Sequence, residues 1–151
     1  QTLYAALKAL MVAGIKPVQV SRVWKTKPVP YVEGYPWYHN AVCEVDTDLE
    51  PMDLLDALLD IEADFGRVRT IQNAPRVLDL DLIAYDDEII REGEKLIVPH
   101  PRMQGRAFVL MPMADFIDDW AHPESKKTLE QLLAALPADQ IAEPIEGGWD
   151  E

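Results

Sequence analysis

The stretch APRVLDLDLIAYDD, Ala74 to Asp87, decides how this chain is read. Leucine and aspartate alternate through Leu78, Asp79, Leu80, Asp81 and Leu82. Successive side chains of a strand point to opposite faces. A strand over Arg76 to Tyr85 therefore turns the three leucines toward a core and both aspartates away from it. Strands disfavour aspartate, and two carboxylates about 7 Å apart at their Cα atoms on one face repel each other. A divalent cation removes that penalty: Mg²⁺ takes one or two carboxylates together with waters and substrate phosphates. Two ions about 4 Å apart are the arrangement of many phosphoryl-transfer sites. An edge strand guarded by charge would show the same letters.

The neighbourhood favours the metal. Arg67, Arg69, Arg76, Arg91, Lys95, Arg102 and Arg106 place seven of the chain's 14 basic residues within 40 positions. The net charge is −13, so a general binder of nucleic-acid backbones is not expected. A basic cluster in so acidic a chain reads as a local anion site, with solvated loops as the plainer alternative. Metal with arginines is recurring equipment for polyphosphate.

Length and composition set the frame. At 151 residues and 48% apolar content, one domain with a proper core is expected over residues 1–151, with an acidic tail from about 138. No apolar run approaches the length of a bilayer span, and Gln1 to Val12 lacks the basic start of a signal peptide. The lone Cys43 excludes an internal disulfide and fits a reducing cytoplasm.

Working outward, Gln1 to Val12 has helical spacing and Gly14 stops it. Val18 to Trp24 and Tyr38 to Val45 read as paired strands around a proline-rich loop, Lys25 to Pro36. A helix starts with Asp48 as cap and Pro51 in its first turn, and Gly66 closes it. Glu88 to Val98 holds a short strand or two. Arg106 to Phe116 reads as a short helix and Thr128 to Leu136 as an amphipathic one. The tail from Ala138 reads as solvated or loosely docked. With one strand placed before the first helix, this order becomes βαββαβ, the ferredoxin-like split motif. The expected fold class is therefore α+β, a ferredoxin-like sandwich whose antiparallel sheet carries helices on its faces. The leading strand is absent from the chain, which opens inside its first helix.

No phosphate-binding loop or dinucleotide fingerprint occurs. No zinc motif and no serine nucleophile motif is present either. His100 sits in a basic loop, VPHPRMQGRAF.

PRVLDLDL at Pro75 to Leu82, followed by VPHPRMQGRAFVLMP at Val98 to Pro112, resembles the hydroxymethyl-dihydropterin pyrophosphokinases of folate biosynthesis. VSRVWKTKPVP, YPWYHNAVCEVDTDLEP and IEADFGRVR are similar to the same family's successive upstream segments, so the resemblance spans roughly Gln1 to Leu136. It implies transfer of pyrophosphate from ATP to the hydroxymethyl group of a reduced pterin, with release of AMP. Asp79 and Asp81 match the acids that hold two Mg²⁺ ions. Arg67, Arg69 and Arg76 match basic positions of the triphosphate site. By the same resemblance, Lys95, His100 and Arg106 contact nucleotide and phosphate, Glu62 lies near the nucleotide, and Leu82 and Ile97 border it. Tyr38 and Phe108 match the aromatics that hold the pterin ring, Asn40 the amide at its edge, and Thr26 and Val29 the loop that closes on it. Stacking suits a flat heteroaromatic ring, and an amide offers donor and acceptor together.

The chain departs from the family pattern in two places. The family opens with a strand ending in a Gly-Ser-Asn turn, which is lacking here. Between Arg69 and Arg76, where the family often carries an arginine and a tryptophan, this chain has TIQNAP. The implied partners are ATP and a reduced pterin, with no nucleic acid and no membrane, on a cytoplasmic monomer or weak dimer. A two-metal phosphohydrolase on the same acids and a non-catalytic ferredoxin-like ligand-binding module stay open as alternatives.

Overall fold

The computed structural model describes residues 2–27, 33–34, 37–67 and 78–149, with the backbone alone at Arg67. The first helix, α1, covers Thr2–Val12. It ends as its sequence implies. Gly14 adopts φ 82°, the Ile15 N–H bonds the Leu10 carbonyl at 2.9 Å, and the Gly14 N–H bonds Met11 at 3.1 Å. This is a Schellman stop, with Ile15 fully buried in the same core as Leu10.

Both expected strands of the ribbon are present, each broken in two. β1 (Lys16–Val20) pairs antiparallel with β4 (Cys43–Asp46), and β2 (Val23–Thr26) with β3 (Tyr38–Asn40). The breaks come from extra residues in the first arm. Pro17 faces Val45 but Gln19 faces Glu44, which leaves Val18 unmatched. From the pair Val20 and Cys43 to the pair Trp24 and Asn40, the first arm advances four residues and the second three. Such bulges bend a ribbon and interrupt its ladder. At the second break the buried Ser21 restores what is lost. Its N–H bonds the Val42 carbonyl at 2.8 Å, and its Oγ accepts the Val42 N–H at 2.9 Å.

Helix α2 (Pro51–Arg67) starts at its proline but runs through Gly66 instead of closing there. A glycine terminates a helix by turning left-handed, and Gly66 does not do so. The aspartate stretch also differs from expectation. Among the described residues, 78–85 join no strand ladder. Their backbone groups are engaged elsewhere: the Leu80 N–H donates to the Glu62 carboxylate, and the Ile83 carbonyl accepts the His100 N–H at 2.8 Å. The strand-like alternation survives in the packing. Leu78 is buried, Leu80 and Leu82 are half-buried, and Asp79 and Asp81 are exposed.

Beyond Asp87 a hairpin joins β5 (Ile90–Glu92) to β6 (Leu96–Val98) through Gly93, φ 64°. A 3₁₀ turn, Met103–Gly105, leads into α3 (Ala107–Met113). Helix α4 (Leu129–Ala134) starts from a capping box between Thr128 and Gln131. The tail is not loosely docked. β7 (Ala142–Ile145) pairs with β2 to give a sheet in the order β3-β2-β7, and the Trp149 indole donates to the Ser21 carbonyl at 2.8 Å. Backbone pairing and one indole secure this segment, and its acidic side chains give no sign of either. Pro144 is tolerated because β7 lies at the sheet edge.

Two cores flank the ribbon. One buries Leu10, Ile15, Leu54, Leu58 and Leu78, with Cys43, Val45, Leu80 and Leu82 against them. The other buries Met103, Val109, Leu110, Leu129 and Leu132, with Val42, Ile83 and Phe108 against them. Cys43 and Val45 therefore face α1 and α2, while Val42 faces α3 and α4. The architecture is α+β, with antiparallel strands between helical layers. Asp115, just past α3, fastens the second layer to β2 by accepting the Arg22 N–H at 2.8 Å and the Trp24 indole N–H at 2.9 Å.

Replacing Ser21 with alanine leaves the Val42 N–H without its acceptor. An unsatisfied buried donor costs about 1–3 kcal/mol. The urea midpoint of Ser21→Ala should fall accordingly, with an unchanged denaturant slope.

Candidate active site

The site is built on the face of the ribbon that carries the second core. Asp79, Asp81 and Ile83 alternate with the leucines of the first core, and Ile83 packs into the second. The two acids thus emerge on the α3 side. From below, Glu62 of α2 holds the Leu80 amide that lies between them.

His100 connects the acids to the basic loop. Its N–H bonds Ile83, and its Nδ1 accepts the Arg102 N–H at 3.2 Å. A neutral His100 therefore carries its proton on Nε2. Burial pushes the imidazole below its ordinary range, and the charges of Arg106 and Arg102 add to this while nearby Asp81 opposes it. Asp81, His100, Arg102 and Arg106 consequently share one electrostatic neighbourhood. Sequence reading counts Arg102 only among the clustered bases; its amide is what fixes the histidine.

The other end of the site lies on β2 and β3. Tyr38 faces Thr26 directly across the strands, and Asn40 faces Trp24, so all four share a face. The Trp24 indole reaches Asp115, which places α3 over that face. The Asn40 Nδ2 donates to the buried Thr26 Oγ1 at 3.1 Å, which fixes the amide's orientation. Tyr38 is 64% exposed, unusual for so large a ring on a strand that a helix partly covers. Phe108, in the first turn of α3, is half-buried. The Arg106 guanidinium sits over its ring, 5.2 Å from the centroid. Arg106 therefore meets the aromatic end at Phe108, and its charge is felt at His100.

The remaining expected residues fall less centrally. Lys95 pairs with Asp56 of α2 at 2.9 Å, both half-exposed. Ile97 is half-buried between the buried Leu96 and Val98. Leu82 packs into the first core, opposite the acids. Arg69, Arg76, Val29 and the Arg67 side chain lie outside the described residues.

A second histidine behaves like the first. His122 is buried, its Nδ1 accepts the amides of Glu124 and Ser125, and burial lowers its pKa against the opposing charge of Glu124. Both histidines fold in the neutral form, so the unfolded chain binds more protons than the native one below its own pKa of about 6.5. Their contribution to stability is complete above that pH. It is lost as the pH falls from there through the depressed folded values. Urea titrations at stepwise lower pH should show this decline, and His122→Gln should flatten it.

The chain matches the family model described as 7,8-dihydro-6-hydroxymethylpterin-pyrophosphokinase over residues 1–118. It is 42% identical over 140 residues to the folic acid synthesis protein fol1 of Pneumocystis carinii, an alignment covering 93% of this chain but 18% of that protein. It is 40% identical over 137 residues to the 2-amino-4-hydroxy-6-hydroxymethyldihydropteridine pyrophosphokinase of Synechocystis sp., covering 91% of this chain and 69% of the relative. The protein of the same name from Pseudomonas aeruginosa is 42% identical over 124 residues, covering 82% and 75%. The chain thus spans less than a fifth of the long fungal protein and over two thirds of these two bacterial ones. By this match and by the segments that build the site, the chain belongs to the 7,8-dihydro-6-hydroxymethylpterin-pyrophosphokinase family.

Proposed function

We propose that the chain transfers pyrophosphate from ATP to the hydroxymethyl group of 6-hydroxymethyl-7,8-dihydropterin and releases AMP, as a single pyrophosphokinase domain with a ferredoxin-like arrangement. The observation that carries this reading is Arg106 stacked on the Phe108 ring, with its charge and that of Asp81 both acting on His100. One end suits a flat ring: Tyr38 and Phe108 supply stacking surface. Thr26 orients Asn40 through its Nδ2, and an amide so held can offer both an acceptor and a donor to a ring edge. The other end suits a triphosphate, with Arg106, Arg102 and the Nε2–H of His100 as donors. The family resemblance assigns Arg67, Arg69 and Arg76 to the triphosphate, Ile97 to the border of the nucleotide and Val29 to the loop that closes on the pterin. Thr26, by contrast, acts from within β2, Leu82 faces the first core away from the acids, and Lys95 and Glu62 contribute from the α2 side.

Asp79 and Asp81 fit Mg²⁺. Among the described residues no three metal-binding side chains cluster, and Mg²⁺ needs no all-protein cage. Two carboxylates on one exposed face leave its other positions to water and phosphate. Two such ions, when bound, would neutralise charge on the triphosphate. The chain's own part is positioning, since it must hold the pterin hydroxyl in line with the β-phosphorus and exclude competing geometries. Among the described residues no helix is long and apolar enough to cross a membrane. The reading places the enzyme in the cytoplasm as a monomer or weak dimer, acting on small molecules.

Incubation with MgATP and the pterin should yield AMP only when both substrates are present. ADP or free phosphate would replace this reading with the two-metal phosphohydrolase, and binding without turnover with the ligand-binding module. Asp79→Ala and Asp81→Ala should each lower AMP formation by at least about 10²-fold, with circular dichroism unchanged; retained turnover refutes their role. Tyr38→Ala and Phe108→Ala should weaken pterin binding by about 0.5–1.5 kcal/mol each in calorimetric titrations. A non-hydrolysable ATP analogue should be affected less, and equal losses for both ligands would refute the clamp.

A further inference from the structure

We propose that Gln140, in the segment leading into β7, is a positioning residue that sets Arg106 for triphosphate binding. The proposal deepens the function proposed above and depends on it. Gln140 lies outside the residues matched by the family model, yet it reaches the centre of the site. Its Oε1 accepts the Ala107 N–H at 2.8 Å, and its Nε2 donates to the Gly105 carbonyl at 2.7 Å. These two bonds flank Arg106 on both sides. Only one orientation of the amide satisfies both, because one partner is a donor and the other an acceptor. Arg106 is the N-cap of α3 and provides no side-chain cap itself. Its guanidinium is turned instead onto Phe108. Gln140 thus supplies, from 33 residues away, the acceptor that the helix start lacks.

Gln140 is itself anchored. Its N–H bonds the Pro137 carbonyl at 3.2 Å, and the adjoining Ile141 carbonyl accepts the Lys27 N–H at 3.0 Å. The ladder then continues with Ala142 facing Thr26. One short run therefore holds the strand end that carries Thr26 through its backbone and the Arg106 turn through a side chain. Changing the side chain alone releases Arg106 and leaves the Lys27 and Thr26 pairing in place. Ala107 is 4% exposed, so its amide without Gln140 would have little access to solvent.

The test uses the full chain. Gln140→Leu removes both bonds at similar volume. Gln140→Glu keeps an acceptor for Ala107 and loses the donor to Gly105. Thr128→Ala, which breaks the α4 capping box, controls for general loss of stability. Calorimetric titration with inorganic triphosphate and Mg²⁺ should show affinity about tenfold weaker in Gln140→Leu, intermediate in Gln140→Glu and unchanged in Thr128→Ala. In turnover assays KM for ATP should rise in the same order while KM for the pterin stays level. The proposal is overturned if Gln140→Leu loses only thermal stability and binds triphosphate as the control does, or if both KM values rise together. Should the wild-type chain bind triphosphate yet form no AMP, the transfer reading fails while the binding comparison still decides the role of Gln140. A wild-type chain that binds no triphosphate ends both.

Discussion

Everything in the site depends on the alternation at residues 78–83. Leu78, Leu80 and Leu82 pack with α1 and α2, while Asp79 and Asp81 look out on the side where Ile83 packs with α3. A slip of one residue would place two carboxylates in the first core and three leucines in solvent. Burying either acid unpaired would cost far more than any loop contact returns. Burial of the leucines therefore fixes the direction of the acids, and the face they occupy follows from core packing rather than from the acids themselves. The Glu62 carboxylate and the His100 amide hold the segment from either side.

Two chemically different ends meet on that face. The aromatic end comes from β2, β3 and the first turn of α3; the charged end comes from the aspartate segment and the loop at His100. Arg106 lies two residues before Phe108 and stacks on its ring, and its charge adds to the burial that lowers the His100 pKa. Local basic charge works here against a net charge of −13. An acidic exterior repels polyanions in general, and Arg102 and Arg106 set positive charge beside His100 within it. His100 adds a donor that stays neutral near pH 7 and so leaves the charge balance of the pocket unchanged.

Helix ends are legible in the sequence where the chemistry that makes them is local. Gly14 stops α1 because only a left-handed residue allows the two Schellman bonds. Thr128 and Gln131 start α4 because their side chains satisfy each other's orphan amides. Gly66 misled because a glycine permits a stop without imposing one. The strand breaks at Ser21 and Val42 are not legible in the sequence because a bulge is a mismatch between two arms, and neither arm shows it alone. The acidic tail seemed solvated because its docking uses backbone groups, one indole and one amide.

By itself the sequence determined the helices, the paired strands, the alternation that exposes Asp79 and Asp81, and the residue types suited to a ring and a triphosphate. The elements and the alternation follow from periodicity and capping, which are properties of neighbouring residues, and the residue types from the family resemblance. Only the tertiary structure decided that Arg106 stacks on Phe108, that Lys95 pairs with Asp56, that Leu82 faces the core, and that Gln140 braces the start of α3. Most of those relations link residues far apart in the chain, and side-chain hydrogen bonds and ring contacts act over a few ångströms. Such contacts exist only once packing has brought the distant segments together.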